Sequence, residues 1–281
     1  MRIYNKKHTK GNLMKIYKID NDNIYFAGDL HGEFSTINVT INRFNLENCT
    51  IVVCGDIGLG FEKEEYYVQT FNHLTKTLSK KNIHIFFFRG NHDNKDYFNG
   101  EHFTDFEYVH VIPDYSVIST TSRNILCVGG ATSIDRVWRK ENMEILTVQY
   151  MKHHSCGWEE AEKKSKKLYW ENEPIMYDID ELDQLSENNI LVDTVCTHTA
   201  PSFCNPITKK GLNSWLTVDP SLSEDLDKER KVCDDILNYL KDNGHPLQNW
   251  YYGHFHFHNV EIIDEVKYTL LDMSRDKMDL N

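Results

Sequence analysis

Proline is scarce in this chain, with six residues among 281. No stretch gathers proline, glycine or serine into a linker, and no repeat or low-complexity tract interrupts the pattern. A flexible spacer between halves is thereby excluded, and a single domain over about residues 15–281 is expected. Long hydrophobic runs are missing too. The longest, such as Ile83–Phe88, fall far short of the about 20 residues needed to cross a bilayer. No signal-peptide pattern is found, so a cytoplasmic protein without membrane attachment is expected. CxxC pairs are absent, and the seven cysteines are odd in number. Cys54, Cys127 and Cys196 sit inside apolar runs, which suits reduced core thiols and not a disulfide framework. Positive charge is in short supply. Lys and Arg number 31 against 43 Asp and Glu, a net charge of −12. That balance disfavours a broad nucleic-acid or membrane surface. A nucleic-acid partner is therefore not expected, although a local basic groove would restore it. Surplus carboxylates have a second meaning, since carboxylates at a metal site count as excess until cations arrive.

What is present is an alternation of strand-like and helix-like segments, the mark of a layered α/β domain. Strands are expected at Ile24–Ala27, Thr50–Cys54, Ile83–Phe88, Asn124–Val128, Leu191–Cys196, Asn249–Tyr252, Asn259–Ile263 and Val266–Leu271. Several are apolar throughout, which predicts cover on both faces. Helices are expected at Phe34–Phe44, Glu62–Ser79, Ile179–Glu187 and Ser221–Lys241. Residues 1–14 are largely polar and aperiodic, and read as a disordered or weakly held extension. Trp138–Pro174 is rich in charge and aromatics with no strand signal, and reads as a helical excursion over the core. Its aromatics are expected to pack on the core.

The chemistry gathers where the apolar runs end. Ile24–Ala27 ends in Gly28-Asp29-Leu30-His31-Gly32, and Ile51–Cys54 in Gly55-Asp56. Ile85–Phe88 ends, after Arg89, in Gly90-Asn91-His92-Asp93. Val192–Cys196 ends in Thr197-His198, and Trp250–Tyr252 in Gly253-His254-Phe255-His256. Sites in open α/β sheets form outside the carboxyl ends of strands. The donors are oxygen and imidazole, without thiolate, which suits Mn, Fe, Zn, Ni or Co. Asp29 and His31, like His254 and His256, stand two apart, so each pair can face one cluster in extended chain. Seven such side chains exceed one tetrahedral ion and fit two ions sharing a bridge.

The order Asp-x-His, Gly-Asp, Gly-Asn-His-Asp, His, Gly-His-x-His resembles the calcineurin-like metallophosphoesterase superfamily, over about Ile24 to Leu271. The resemblance implies a four-layer αββα sandwich, two mixed β-sheets flanked by helices. It implies that Asp29, His31 and His256 hold one metal, that Asn91, His198 and His254 hold the other, and that Asp56 bridges them. His92 would protonate the leaving group, and Asp93 would orient His92 from behind. The implied activity is hydrolysis of a phosphomonoester or phosphodiester by a metal-bridging hydroxide. Two divalent ions would be the cofactors, Mn first.

The sequence departs from the protein-phosphatase branch. Gly55-Asp56-Ile57-Gly58-Leu59-Gly60 lacks that branch's arginine, and the third block ends in Asp93 where that branch has Glu. Gly129–Arg136, with Trp158-Glu159-Glu160, is similar instead to small bacterial or phage members. A small or nucleotide-like phosphoester is the expected substrate. Arg136 and Arg139 are the candidates for gripping it. A non-catalytic metal-binding scaffold and a nuclease are the alternatives, and the sequence carries no mark of oligomeric state.

Overall fold

Neighbouring strand positions face opposite ways, and here both ways are apolar. In β4 (Cys49–Cys54), Ile51 and Val53 join one buried cluster while Val52 and Cys54 join another. β5 (Ile83–Phe88) repeats the split, with Ile85 and Phe87 on one side and Phe86 and Phe88 on the other. A sheet buried on both faces needs a cover on each, and the covers define the layers. The computed structural model describes residues 2–4 and 14–274. Among these, the layers run helix, sheet, sheet, helix.

The smaller sheet has the order β3 (Ile24–Ala27), β4, β5, β6 (Val109–Val111). Its outer face meets α1 (Ser35–Arg43) and α2 (Glu64–Lys81). Tyr67, Phe71, Leu74 and Leu78 form the buried stripe of α2 at helical spacing. The larger sheet runs β1 (Arg2–Tyr4), β2 (Ile16–Lys18), β7 (Ser116–Ser119), β8 (Asn124–Val128), β9 (Thr194–Thr197), β10 (Asn249–Tyr252), β12 (Val266–Leu270), β11 (Asn259–Ile263). α5 (Ile179–Glu187) and α7 (Leu222–Asp242) cover its outer face through Leu182, Leu185, Cys233, Ile236 and Leu240. Between the sheets lie Phe26, Phe86, Cys127, Cys196 and Tyr251.

The expected four-layer sandwich is present. Only the larger sheet is mixed; the smaller is parallel throughout, with α1 carrying the chain back from β3 to β4, α2 from β4 to β5, and a segment without α-helix from β5 to β6. β2, β6 and β7 hold three or four residues each, too few for periodicity to reveal. The strand expected from Leu191 begins instead at Thr194, closer to the site. The excursion consists of α3 (Arg136–His154) and α4 (Trp158–Lys164), then a return without helix. Trp138 and Trp158 are exposed, so these two aromatics do not pack on the core as expected. α6 (Leu212–Leu216) has no counterpart among the expected helices. The expected weak N-terminal extension falls mostly outside the described residues; of those described, β1 pairs with β2 and Met14 is buried. All seven cysteines are free, and six are buried. No helix among the described residues is long and apolar enough to cross a membrane.

Candidate active site

Asp29 follows β3, Asp56 follows β4 and Asn91 follows β5; His198 follows β9 and His254 follows β10. All five are buried. Parallel registers bring the carboxyl ends of each group of strands level, so distant residues meet at one edge of the sandwich. The backbone there is bent to aim its side chains. His31, Asp56, His254 and His256 have φ of 46°, 49°, 71° and 59°. This left-handed region costs roughly 1–2 kcal/mol per residue and persists where the surroundings impose it. Here Leu30 and His31 both donate backbone N–H to the Asp56 carbonyl, at 3.0 and 2.8 Å. His254 donates its N–H to Asp29 Oδ1 at 3.1 Å.

Two glycines show why that residue precedes Asn91 and His254. A Cβ on Gly90 would lie 2.1 Å from Asp56 Oδ1, and one on Gly253 would lie 2.2 Å from Asp29 Oδ1. Each carboxylate crosses a neighbouring backbone at a distance no other residue permits.

The donor atoms fall into two groups. In the first, His256 Nε2 is 3.1 Å from Asp29 Oδ2 and 3.3 Å from His31 Nε2. His31 Nε2 is 3.7 Å from Asp29 Oδ2 and 3.7 Å from Asp56 Oδ2. These four residues place one donor atom each within 4.8 Å of all the others. In the second, Asn91 Oδ1 is 2.9 Å from His254 Nδ1 and 3.1 Å from His198 Nε2. His198 Nε2 is also 3.1 Å from Asp56 Oδ1. Asp56 thus turns one oxygen to each group.

These residues fit divalent cations. Asp56 Oδ2 is buried without a hydrogen-bond donor, and buried Asp29 Oδ2 is approached only by the His256 and His31 imidazoles, a costly state for two carboxylates. His198 Nδ1 lies 2.7 Å from the Cys54 carbonyl, which requires a proton on Nδ1. The neutral ring then aims the Nε2 lone pair at the oxygens of Asp56 and Asn91, a repulsive contact that a cation relieves. Without a cation, the ring itself takes the charge. Burial opposes this, but Asp56 and Asp29 outweigh it and carry the His198 pKa to about 9. Burial would likewise raise both aspartates, and the charge on His198 leads the effects that lower them.

A family model for calcineurin-like phosphoesterases matches residues 23–258, the greater part of the chain. The chain belongs to the calcineurin-like phosphoesterase family. No curated protein matches it. Among solved structures, the crystal structure of TT1561 of Thermus thermophilus superposes with a TM-score of 0.50 at 11% identity. The match covers 92% of this chain and 97% of that one, and shows a shared fold. In this family member Asp29, His31, Asp56 and His256 form the candidate metal-binding cluster.

The other expected residues divide. His92 donates its backbone N–H to Asp56 Oδ1 at 2.8 Å, and its ring stands edge-on to His31 at 4.9 Å. Burial lowers the His92 pKa; Asp56 opposes that shift and the Arg139 guanidinium adds to it. Arg139 does reach the site, with Nη2 3.0 Å from His92 Nε2, and is steadied by Asp135 at 2.7 Å. Arg136 does not join it. Its guanidinium is tied to Asp219 at 2.6 Å, Asp225 at 2.8 Å and Ser221 at 2.9 Å. Asp93 does not stand behind His92. Its carboxylate accepts from the backbone N–H groups of Ile57, Gly58, Leu59 and Gly90, at 2.7–3.0 Å, and so ties the Asp56 loop to the Gly90 loop.

Three residues at the site carry no signal in the sequence motifs or were not singled out by them. Lys209 brings Nζ to 3.4 Å from His254 Nδ1. Ser133 accepts from Asn91 Nδ2 at 2.8 Å, and Glu173 accepts from Ser133. Burial raises the Glu173 pKa to about 8, against the pull of its two Ser133 donors. Ser133 belongs to the glycine-rich Gly129–Arg136 block, the one hint available beforehand.

Proposed function

We propose that this chain hydrolyses phosphoesters at a pair of divalent cations, with His92 protonating the leaving group. The observation that carries the reading is the divided attention of Asp56, whose two oxygens face two separate donor groups. Asp29, His31 and His256 would hold one ion, Asn91, His198 and His254 the other, with Asp56 between them. When bound, such ions supply water of lowered pKa and neutralise charge on phosphoryl oxygens.

The chain's own groups account for the rest. The bond from the His92 backbone to Asp56 holds the imidazole beside the cation positions, where a leaving oxygen departs. Arg139, in contact with the acid, would grip a phosphoryl oxygen through charge-assisted hydrogen bonds. Lys209 approaches from the His254 side and adds a second cation. Oxygen and imidazole donors suit Mn, Fe, Zn, Ni or Co, and Mn is the ion proposed first. A small or nucleotide-like phosphoester is the substrate class proposed.

The test is turnover of chromogenic mono- and diesters by Mn²⁺-loaded protein. His92→Ala is expected to lose roughly 10²–10⁴-fold in turnover while keeping its metal. Unchanged turnover would remove His92 from the role. Full metal content without hydrolysis of any ester would favour a scaffold.

A further inference from the structure

Asn91 is useful to a cation through one end only. Its Oδ1 is a ligand, whereas its Nδ2 repels positive charge. Something must therefore decide which end of the amide faces His198 and His254. The decision is made two side chains away.

Glu173 is 1% exposed, and both of its oxygens are used by a single residue. Ser133 donates its backbone N–H to Oε1 at 2.7 Å and its hydroxyl to Oε2 at 2.7 Å. A hydroxyl has one proton. With that proton on Glu173, Ser133 Oγ faces Asn91 only as an acceptor. Asn91 Nδ2, at 2.8 Å, is then the donor, and Oδ1 turns to the two histidine nitrogens. Each Glu173 oxygen faces its own Ser133 donor, as the two oxygens of a carboxylate do; burial opposes that charge, and the two donors and the Arg139 guanidinium favour it.

The segment that carries Glu173 is itself fastened to the strand end that carries Asn91. Arg89 is fully buried, two residues before Asn91. It donates to the carbonyls of Asn172, Glu173 and Pro174 at 3.3, 2.6 and 3.1 Å. Asp114 balances its charge at 2.9 Å. Ala131 adds a backbone bond to the Glu173 carbonyl at 3.2 Å.

We propose that Glu173 is a positioning residue which, through Ser133, sets the Asn91 amide with its oxygen toward the second cation, and that the arm returning from α4 holds it there. This gives the excursion over residues 138–174 a role at the metal centre. The inference rests on the two-cation reading above.

The experiment is Mn²⁺ binding by calorimetry and elemental analysis on the full chain, alongside melting of the chelated protein. Wild type is expected to bind two ions. Ser133→Ala removes the relay, and Glu173→Gln offers one acceptor oxygen where Ser133 needs two. Both variants should keep the first ion, bind the second roughly 10–100-fold more weakly, and melt, when chelated, as wild type does. Wild-type affinity for the second ion in both variants would overturn the inference. So would parallel weakening of both ions with a lower melting temperature, which would make the arm mere packing. A wild type that binds one ion would overturn the two-cation reading itself, and that failure shows in the parent protein, not in the variants.

Discussion

Arg139 Nη2 lies 3.0 Å from His92 Nε2, so the guanidinium donates to the nitrogen that would release a proton to the leaving group. That contact needs a lone pair on Nε2 and holds His92 neutral. A phosphoryl oxygen entering beside them would draw Arg139 to itself and free Nε2 to take up a proton from solvent, which it would then give to the leaving oxygen. Arg139→Gln is therefore expected to raise KM by about ten- to a hundredfold, the worth of a hydrogen bond to a charged group. Arg136→Gln should leave KM unchanged and lower the melting temperature, because Arg136 serves Asp219 and Asp225. Steady-state kinetics on both variants decides; equal effects on KM would contradict the division.

Asp93 gives a second contrast. Four backbone N–H groups converge on its carboxylate. Asp93→Asn turns one acceptor into a donor facing other donors. A loss of about 1–3 kcal/mol in urea unfolding is expected. The acidic limb of the pH–rate profile should stay where it is, since Asp93 does not bond the His92 ring. A displaced limb with intact stability would restore the orienting role.

Gly90→Ala tests the close approach of two strand ends. The new Cβ would fall 2.3 Å from the Asp56 backbone nitrogen, which has nowhere to go. Overpacking of this kind costs about 1–3 kcal/mol. In the two-cation arrangement proposed, Asp56 would be shared, and both ions should bind more weakly. Elemental analysis showing full occupancy would count against the bridging position of Asp56.

The pH dependence of the chelated protein follows from His198. Its pKa is raised from 6.5 to about 9, as Asp56 and Asp29 outweigh burial. A group raised on folding contributes stability that is whole below pH 6.5 and is lost as pH climbs through about 9. Chelated protein should accordingly melt at lower temperature between those limits. Loaded protein holds the ring neutral and should not show that loss. A level melting temperature in the chelated form would mean that His198 carries no charge there.

Much of the centre was legible because the strands that carry it are local features with local punctuation. Apolar runs ending in Gly-Asp or Gly-His mark both the strand and the ligand, and parallel pairing then brings those ends together. Asp93 shows the limit. It adjoins His92, yet its partners at Ile57, Gly58 and Leu59 lie 34–36 residues away. Arg136 and Arg139 show it again, one helical turn apart on α3 with separate destinations. β2, β6 and β7 leave no trace in the sequence because they are too short for a pattern of period two to register.

The order of residues alone determined the candidate donor types, their placement at strand ends and the family likeness, since these depend on neighbours a few positions apart. Tertiary structure alone decided what Asp93, Arg136 and Arg139 touch, and that Glu173 reaches Asn91 through Ser133. Those contacts span up to 89 residues of chain, as between Arg136 and Asp225. They exist only once two sheets and the α3–α4 excursion have closed around one edge, which no local pattern encodes.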